Sequence, residues 1–165
     1  MKCTSQYLDS ALNQEKVPIV IETLKKIIEK TTGNNFDAIA FQGLSGSLIA
    51  PILAFQLNKK MIVLRKENSH SKYKVEGYLE ARRVIIIDDL ISSGRTMKTI
   101  IGFLKSKECE ILGVFMYCDA FCNDFFENIP SYAFSIIDDQ IYYSKQLIAL
   151  SFPEKQTIDN QRKID

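Results

Sequence analysis

The sequence has no surplus of charge, no long apolar run, few cysteines and a single histidine, and each shortage removes a class of function. The formal net charge is +1, so nothing global points to nucleic acid or to an anionic membrane surface. The longest apolar runs fall far short of the ~20 residues that a membrane-spanning helix needs. Met1–Ser10 is polar and lacks the apolar segment of a signal peptide. A cytoplasmic protein is expected. The cysteines are Cys3, Cys109, Cys118 and Cys122. Cys118 and Cys122 are spaced like half of a metal site or a redox pair, but the one histidine, His70, is far away and no second Cys/His pair exists. The thiols therefore read as reduced and mostly buried. Repeats, linkers and low-complexity blocks are also missing, which leaves residues 1–165 as a single domain.

What is present is a composition of 46% hydrophobic and 25% charged residues, enough apolar material for a core. Val17, Val20, Ile21, Leu24, Ile27 and Ile28 fall at helical spacing before Gly33, predicting an amphipathic helix over residues 17–31. Phe36–Phe41 reads as a buried strand, followed by a loop, Gly43-Leu44-Ser45-Gly46. Leu48, Ile49, Ile52, Leu53 and Leu57 line a second helix, with Pro51 expected in its first turn. Met61–Leu64 is a short strand, Arg65–Lys74 a polar loop and Val75-Glu76-Gly77 a turn. Val84–Ile87 is a strand buried on both faces. A turn at Ser92–Arg95 leads to a third helix through Met97, Ile100, Ile101 and Leu104, and Ile111–Tyr117 and Ser131–Ile137 read as further strands. Strands alternating with helices mean a parallel α/β sheet. Residues 118–150 break the alternation and read as an irregular appendage, and the polar tail from Pro153 as loosely ordered.

The chemistry concentrates in VIIIDDLISSGRT, Val84–Thr96. The apolar strand ends in Asp88-Asp89, and ligands of parallel sheets collect beyond the carboxyl ends of the strands. Two adjacent carboxylates accept hydrogen bonds from vicinal hydroxyls or sit near Mg²⁺. Ser92, Ser93, Gly94, Arg95 and Thr96 follow at once. Three hydroxyls can donate, Gly94 lets the backbone curl, and the start of the next helix directs its positive end to the same point. A diol-binding acid pair joined to a phosphate cradle matches a ribose 5-phosphate.

This segment resembles the phosphoribosyl pyrophosphate-binding motif of type I phosphoribosyltransferases, in which four apolar residues precede two acids and a hydroxyl-rich glycine loop ends in threonine. Ser92 and Ser93 stand where the family often has threonine. A receiver domain also pairs acids at a strand end, but after its first strand, whereas here the pair follows about the third. The resemblance covers about residues 36–117. It implies a Rossmann-like α/β core over residues 17–117, with a variable hood from the N-terminal segment and residues 118–150. Gly43, Leu44, Ser45, Gly46 and Ser47 resemble the pyrophosphate loop. Leu64-Arg65-Lys66 leads into a segment like the mobile loop, where Arg65, Lys66, Lys72 and Lys74 would neutralise the leaving group. Val75-Glu76-Gly77 is closer to the orotate-type branch than to the adenine-type one.

The resemblance implies Mg²⁺-dependent transfer of a 5-phosphoribosyl group to a nucleobase or related nitrogen acceptor. Asp88 and Asp89 would hold the ribose hydroxyls, directly or through Mg²⁺, and Ser92–Thr96, flanked by Ile91, would hold the 5-phosphate. Asp88, Asp89, Arg65 and Lys66 are thus the candidate catalytic residues. His70 lacks the lysine and glycine context of orotate-type members, so a binding role and an idle loop histidine both stand. Phe121, Phe125, Phe126, Tyr142 and Tyr143 either stack on a base or fill a small core. A homodimer is implied, without nucleic-acid or membrane partners. A regulator that binds donor or nucleotide without turnover would use the same cradle.

Overall fold

The computed structural model describes residues 8–66, 72–120, 126 and 128–158. A short helix α1 (Asp9–Leu12) precedes α2 (Val17–Thr32), whose inner face buries Val20, Ile21, Leu24, Ile27 and Ile28. The helix stops where expected: the Gly33 N–H closes on the Glu29 carbonyl at 2.8 Å. Strand β1 (Ala38–Gln42) runs directly into α3 (Gly43–Gln56). Strands β2 (Lys60–Leu64), β3 (Val75–Gly77) and β4 (Arg83–Asp88) follow, then α4 (Arg95–Ser106) and β5 (Glu110–Met116). The chain continues with β6 (Ser131–Ile137), β7 (Gln140–Tyr143), α5 (Lys145–Ala149) and β8 (Lys155–Thr157).

The strands form one sheet in the order β3-β2-β1-β4-β5-β6-β7-β8. β2, β1, β4, β5 and β6 are parallel, while β3 pairs antiparallel with β2, β7 with β6 and β8 with β7. Apolar residues alternate between two layers. Ile39 and Phe41 of β1, Ile85 and Ile87 of β4, and Phe115 of β5 pack on the side of α2 and α3. Ala38 and Ala40, Val84 and Ile86, and Val114 and Met116 pack with Met97, Ile100 and Leu104 of α4. This double burial is why the central strands read as unbroken apolar runs.

From β1 the chain crosses to β2 on one side, and β4 lies on the other. The strand order therefore switches between β1 and β4, and a crevice opens there at the carboxyl ends. It brings Gly43 and Asp88 together although they are 45 residues apart in sequence.

Four expectations are corrected. Gly43–Gly46 is the first turn of α3 and not a separate loop, so Pro51 falls in the helix interior. There it removes one backbone donor. Val75–Gly77 is a strand paired antiparallel to β2, with Ile62 opposite Gly77. Residues 118–150 are not irregular throughout, because β6 and β7 extend the main sheet. The tail from Pro153 is ordered as far as Ile158: β8 pairs with β7, and Ile158 enters the core.

Candidate active site

The crevice is walled by the segments that follow three strands. Gln42–Ser45 come from the β1–α3 junction, Lys66 from the end of β2 and Asp88–Met97 from the β4–α4 connection. Of the candidate residues, Gly43, Leu44, Ser45, Lys66, Asp88, Asp89 and Ile91–Thr96 meet around this one cavity.

Asp88 ends β4 and is 5% exposed. Its Oδ1 accepts from Ser45 Oγ at 2.8 Å and from the Asp89 N–H at 2.9 Å. Burial, reinforced by the neighbouring Asp89, pushes its pKa up to about 7, against the pull of the Ser45 bond. Asp89 is less buried, and its Oδ1 accepts from the Leu90 N–H at 2.8 Å. Its carbonyl accepts from the Cys118 N–H at 2.9 Å, which fixes the acid pair to the end of β5. Among the described residues no basic side chain forms an ion pair with either acid, and no cluster of three His, Cys, Asp or Glu could hold a metal on its own. Two carboxylates at the edge of an open cavity, with no cationic partner among the described residues, offer the oxygen ligands that a hard cation takes, leaving its other positions to water or a bound molecule. The residues present fit Mg²⁺ on that basis.

The Ser92–Thr96 turn delivers the chain into α4. Gly94 has φ +70°, and its carbonyl accepts from the Lys98 N–H at 2.9 Å. The Arg95 N–H points to Ser93 Oγ at 3.4 Å. Ser92 and Ser93 are exposed, whereas Ile91 is 7% exposed and anchors the turn in the α4-side core. The start of α4 leaves N–H groups unpaired, and anions collect at such ends.

The other wall is the first turn of α3. Gly43 has φ +78°, and a β-carbon there would lie 3.0 Å from Lys66 Cε. Glycine gives the Lys66 side chain room to cross there, and a β-carbon would oblige the end of that lysine to shift by a few tenths of an ångström. Gln42, 8% exposed, donates from Nε2 to the Arg65 carbonyl at 3.1 Å and ties the ends of β1 and β2 together. Tyr117 donates its hydroxyl to the Ser45 carbonyl at 2.9 Å. Sequence reasoning missed both. Gln42 left a signal, a polar residue closing an apolar strand, but Tyr117 looked like ordinary strand core.

Several candidates lie elsewhere. The guanidinium of Arg65 pairs with Glu76, and Arg65 and Ser47 line an adjoining depression rather than the main cavity. A β-carbon on Gly46 would come within 2.6 Å of Phe41 Cβ, so this glycine serves helix-to-strand packing. Lys72 is exposed and lines none of these cavities, and His70 lies outside the described residues. Of the aromatic set, Tyr143 is buried in the core, its ring 5.2 Å from that of Phe152. Tyr142 bonds to Gln140, and Phe126 packs on the α4-side core. Phe121 and Phe125 lie outside the described residues. The Cys109 thiol donates to the Ala81 carbonyl at 3.2 Å, and burial pushes the Cys118 thiol up to about 12. A second pocket opens beside the first, with Leu8, Leu44 and Leu90 as apolar walls and Ser45, Lys66, Asp89 and Ser92 at the shared border. No helix among the described residues is long and apolar enough to cross a membrane.

The phosphoribosyl transferase domain model matches residues 9–141. The adenine phosphoribosyltransferase of Mycoplasma capricolum is 26% identical over 124 residues, covering 65% of this chain and 71% of the relative. The orotate phosphoribosyltransferase of Staphylococcus aureus is 32% identical over 130 residues, covering 74% of this chain and 64% of the relative. The solved adenine phosphoribosyltransferase of Saccharomyces cerevisiae, complexed with an imino-altritol bisphosphate and adenine, superposes with a TM-score of 0.60 at 22% identity, over 73% of this chain and 79% of that one. That of Thermoanaerobacter pseudethanolicus gives 0.59 at 19% identity, over 74% and 81%. These last two share the fold. A strand-end acid pair, a hydroxyl-rich turn at a helix start and a family model spanning most of the chain converge: this protein belongs to the type I phosphoribosyltransferase family, a class of enzymes built on this α/β fold.

Proposed function

We propose that the chain transfers a 5-phosphoribosyl group from phosphoribosyl pyrophosphate to a nucleobase or related nitrogen acceptor and releases pyrophosphate. One observation carries the reading: two helix-opening turns, at Gly43–Ser45 and Ser92–Thr96, line a single cavity that also holds Asp88 and Asp89. A ligand with a phosphate at each end and a diol between them meets a complementary group at every point.

In this reading the Ser92–Thr96 turn, seated on Ile91, binds the 5-phosphate through backbone N–H groups and hydroxyls. Asp88 and Asp89 orient the ribose hydroxyls and are the residues that would hold Mg²⁺. When bound, that ion would neutralise charge on the pyrophosphate. Gly43–Ser45 and Lys66 face the pyrophosphate, with Gly46 and Ser47 extending the same turn. The lone pair of the acceptor nitrogen forms the bond to the anomeric carbon. The bond from that carbon to pyrophosphate breaks, its electron pair leaves with the pyrophosphate oxygen, and the acceptor's proton passes to water. The ribosyl centre is oxocarbenium-like in the transition state. The acid pair stabilises positive charge on the ring, and Lys66 stabilises negative charge on the leaving group. No covalent link to the protein is required.

The leucine-walled pocket is the proposed acceptor site, since apolar walls suit a planar base. Leu8 brings the N-terminal segment into it, in the manner of a hood. Adenine and orotate, named in the relatives, are the first acceptors to try. Lys72 and His70 are assigned to the segment that resembles the family's mobile loop. A homodimer is also proposed. α3 contains no charged residue and leaves Leu44, Ile52 and Phe55 exposed, Phe55 by 89%, an apolar face that suits a second copy. A cytoplasmic setting completes the reading and rests on composition.

The test is pyrophosphate release from the donor with Mg²⁺ across a panel of bases. Turnover with any base supports the proposal. Donor binding without release for every base replaces it with the regulator reading.

A further inference from the structure

Resting on that donor-site reading, we propose that Tyr117 is a positioning residue for the pyrophosphate end, holding the first turn of α3 in place through the Ser45 carbonyl. Tyr117 follows the last residue of β5 and is completely buried. Its hydroxyl donates to Ser45 at 2.9 Å across 72 residues of sequence. Ser45 is held a second time by its own hydroxyl, which donates to Asp88 Oδ1 at 2.8 Å. The turn that begins at Gly43 is thus clamped by its main chain to β5 and by its side chain to β4.

Core packing does not call for the hydroxyl. A phenylalanine would fill the same space without burying a polar group, and burial of a hydroxyl is unfavourable unless it is hydrogen-bonded. What the hydroxyl adds is one directed bond to a turn that lines the donor cavity. Burial, then the nearby Asp89, Cys118 and Asp88, push the phenol pKa well above its ordinary value. The group therefore stays protonated and acts as a donor throughout the working pH range. Without it the Ser45 carbonyl loses its tie to β5, and the turn is held from the β4 side alone, which loosens the direction of its amides. The Ser92–Thr96 turn sits on a different helix and has no bond to Tyr117 among the described residues.

The test is calorimetry of wild type, Tyr117→Phe and Tyr117→Met with two separate probes, inorganic pyrophosphate and ribose 5-phosphate, in Mg²⁺ buffer. Both variants remove the hydroxyl and keep an apolar side chain, so either one alone decides the matter if the other fails to fold. We expect the Kd for pyrophosphate to rise about tenfold while that for ribose 5-phosphate stays within about twofold. KM for the donor should rise more than kcat falls. Equal weakening of both probes, or unchanged pyrophosphate affinity, overturns the positioning role while the donor-site reading stands. A wild-type protein that binds neither phosphoribosyl pyrophosphate nor ribose 5-phosphate overturns the reading, and this inference with it.

Discussion

The two ends of the crevice, both proposed to meet phosphate groups, are built in opposite ways. The Ser92–Thr96 end is local: the Arg95 N–H turns to Ser93, and the Lys98 N–H turns to Gly94. The space in front of Gly94 is nearly open, with Phe126 Cζ 4.0 Å from where a β-carbon would sit. The Gly43–Ser45 end depends on distant partners, Asp88 at 43 residues and Tyr117 at 72. Its glycine has Lys66 directly overhead. A local turn tolerates bulk but not a wrong backbone angle. The turn at Gly43 meets the same angle penalty, and bulk there also pushes Lys66 aside.

The largest expected effect tests that contrast directly. Gly43→Val combines an unfavourable positive φ with displacement of the Lys66 side chain that crosses it, and should lower kcat/KM by more than about a hundredfold. Gly94→Val meets the angle penalty without that displacement. It should weaken phosphate-end binding by roughly tenfold or more and leave the fold intact. Steady-state kinetics and thermal melting of the two variants settle the order. A larger loss at Gly94 than at Gly43 would break the comparison.

Between the two ends, Asp89→Asn keeps the size of the side chain and removes its charge, and should lower kcat/KM by about a hundredfold. Unchanged donor affinity and turnover in that variant would remove Asp89 from the ribose site.

Asp88 offers a pH test of smaller size. Its pKa in the ligand-free fold is raised to about 7, chiefly by burial. A raised acid is favoured in its neutral form, so its contribution is fully present at low pH and is lost as pH rises through about 7. Ligand-free Asp88→Asn should therefore melt a few degrees above wild type near pH 8, with the gap closing toward pH 4. The same ionisation should make wild-type kcat/KM rise through about pH 7 in the absence of excess Mg²⁺. A stability gap independent of pH would contradict the burial argument.

The contrast between the ends also explains what could be read from the residues alone. Val84–Thr96 was legible because its strand, acid pair and turn are contiguous, and the strand and helix it predicts differ from the structure by a residue or so. Gln42 and Tyr117 were not, since their partners are set by strand order. The far edge of the sheet was hidden for a different reason. β6 and β7 are joined by Asp138 and Asp139, both at positive φ, 47° and 56°. Such two-residue hairpins usually announce themselves through Asn-Gly or Asp-Gly, and Asp-Asp gives no such notice. β8 has only three residues, too short for alternation to register, and it is held by pairing with β7 and by Ile158 in the core. Pro51 was misplaced because α3 begins at Gly43, at once after β1.

The smallest expected effect lies within the tertiary end and separates two neighbours that looked alike in sequence. Arg65 and Lys66 are adjacent cations after β2, yet only Lys66 lines the main cavity. Arg65 directs its side chain to Glu76, and both groups are about 40% exposed, at 41% and 43%. An ion pair that open to solvent contributes about 1 kcal/mol or less. Arg65→Gln should therefore change kcat/KM by less than about threefold and barely move the melting temperature. Lys66→Gln should cost about thirtyfold, because it removes charge from the leaving-group side of the cavity. If Arg65→Gln loses as much as Lys66→Gln, the guanidinium must leave Glu76 when donor binds. The pair would then be a resting contact, and Arg65 would rejoin Lys66 on the pyrophosphate. A Glu76→Gln variant distinguishes the cases: tighter donor binding would mark Arg65 as released from competition, and unchanged binding would mark it as a bystander on the sheet edge.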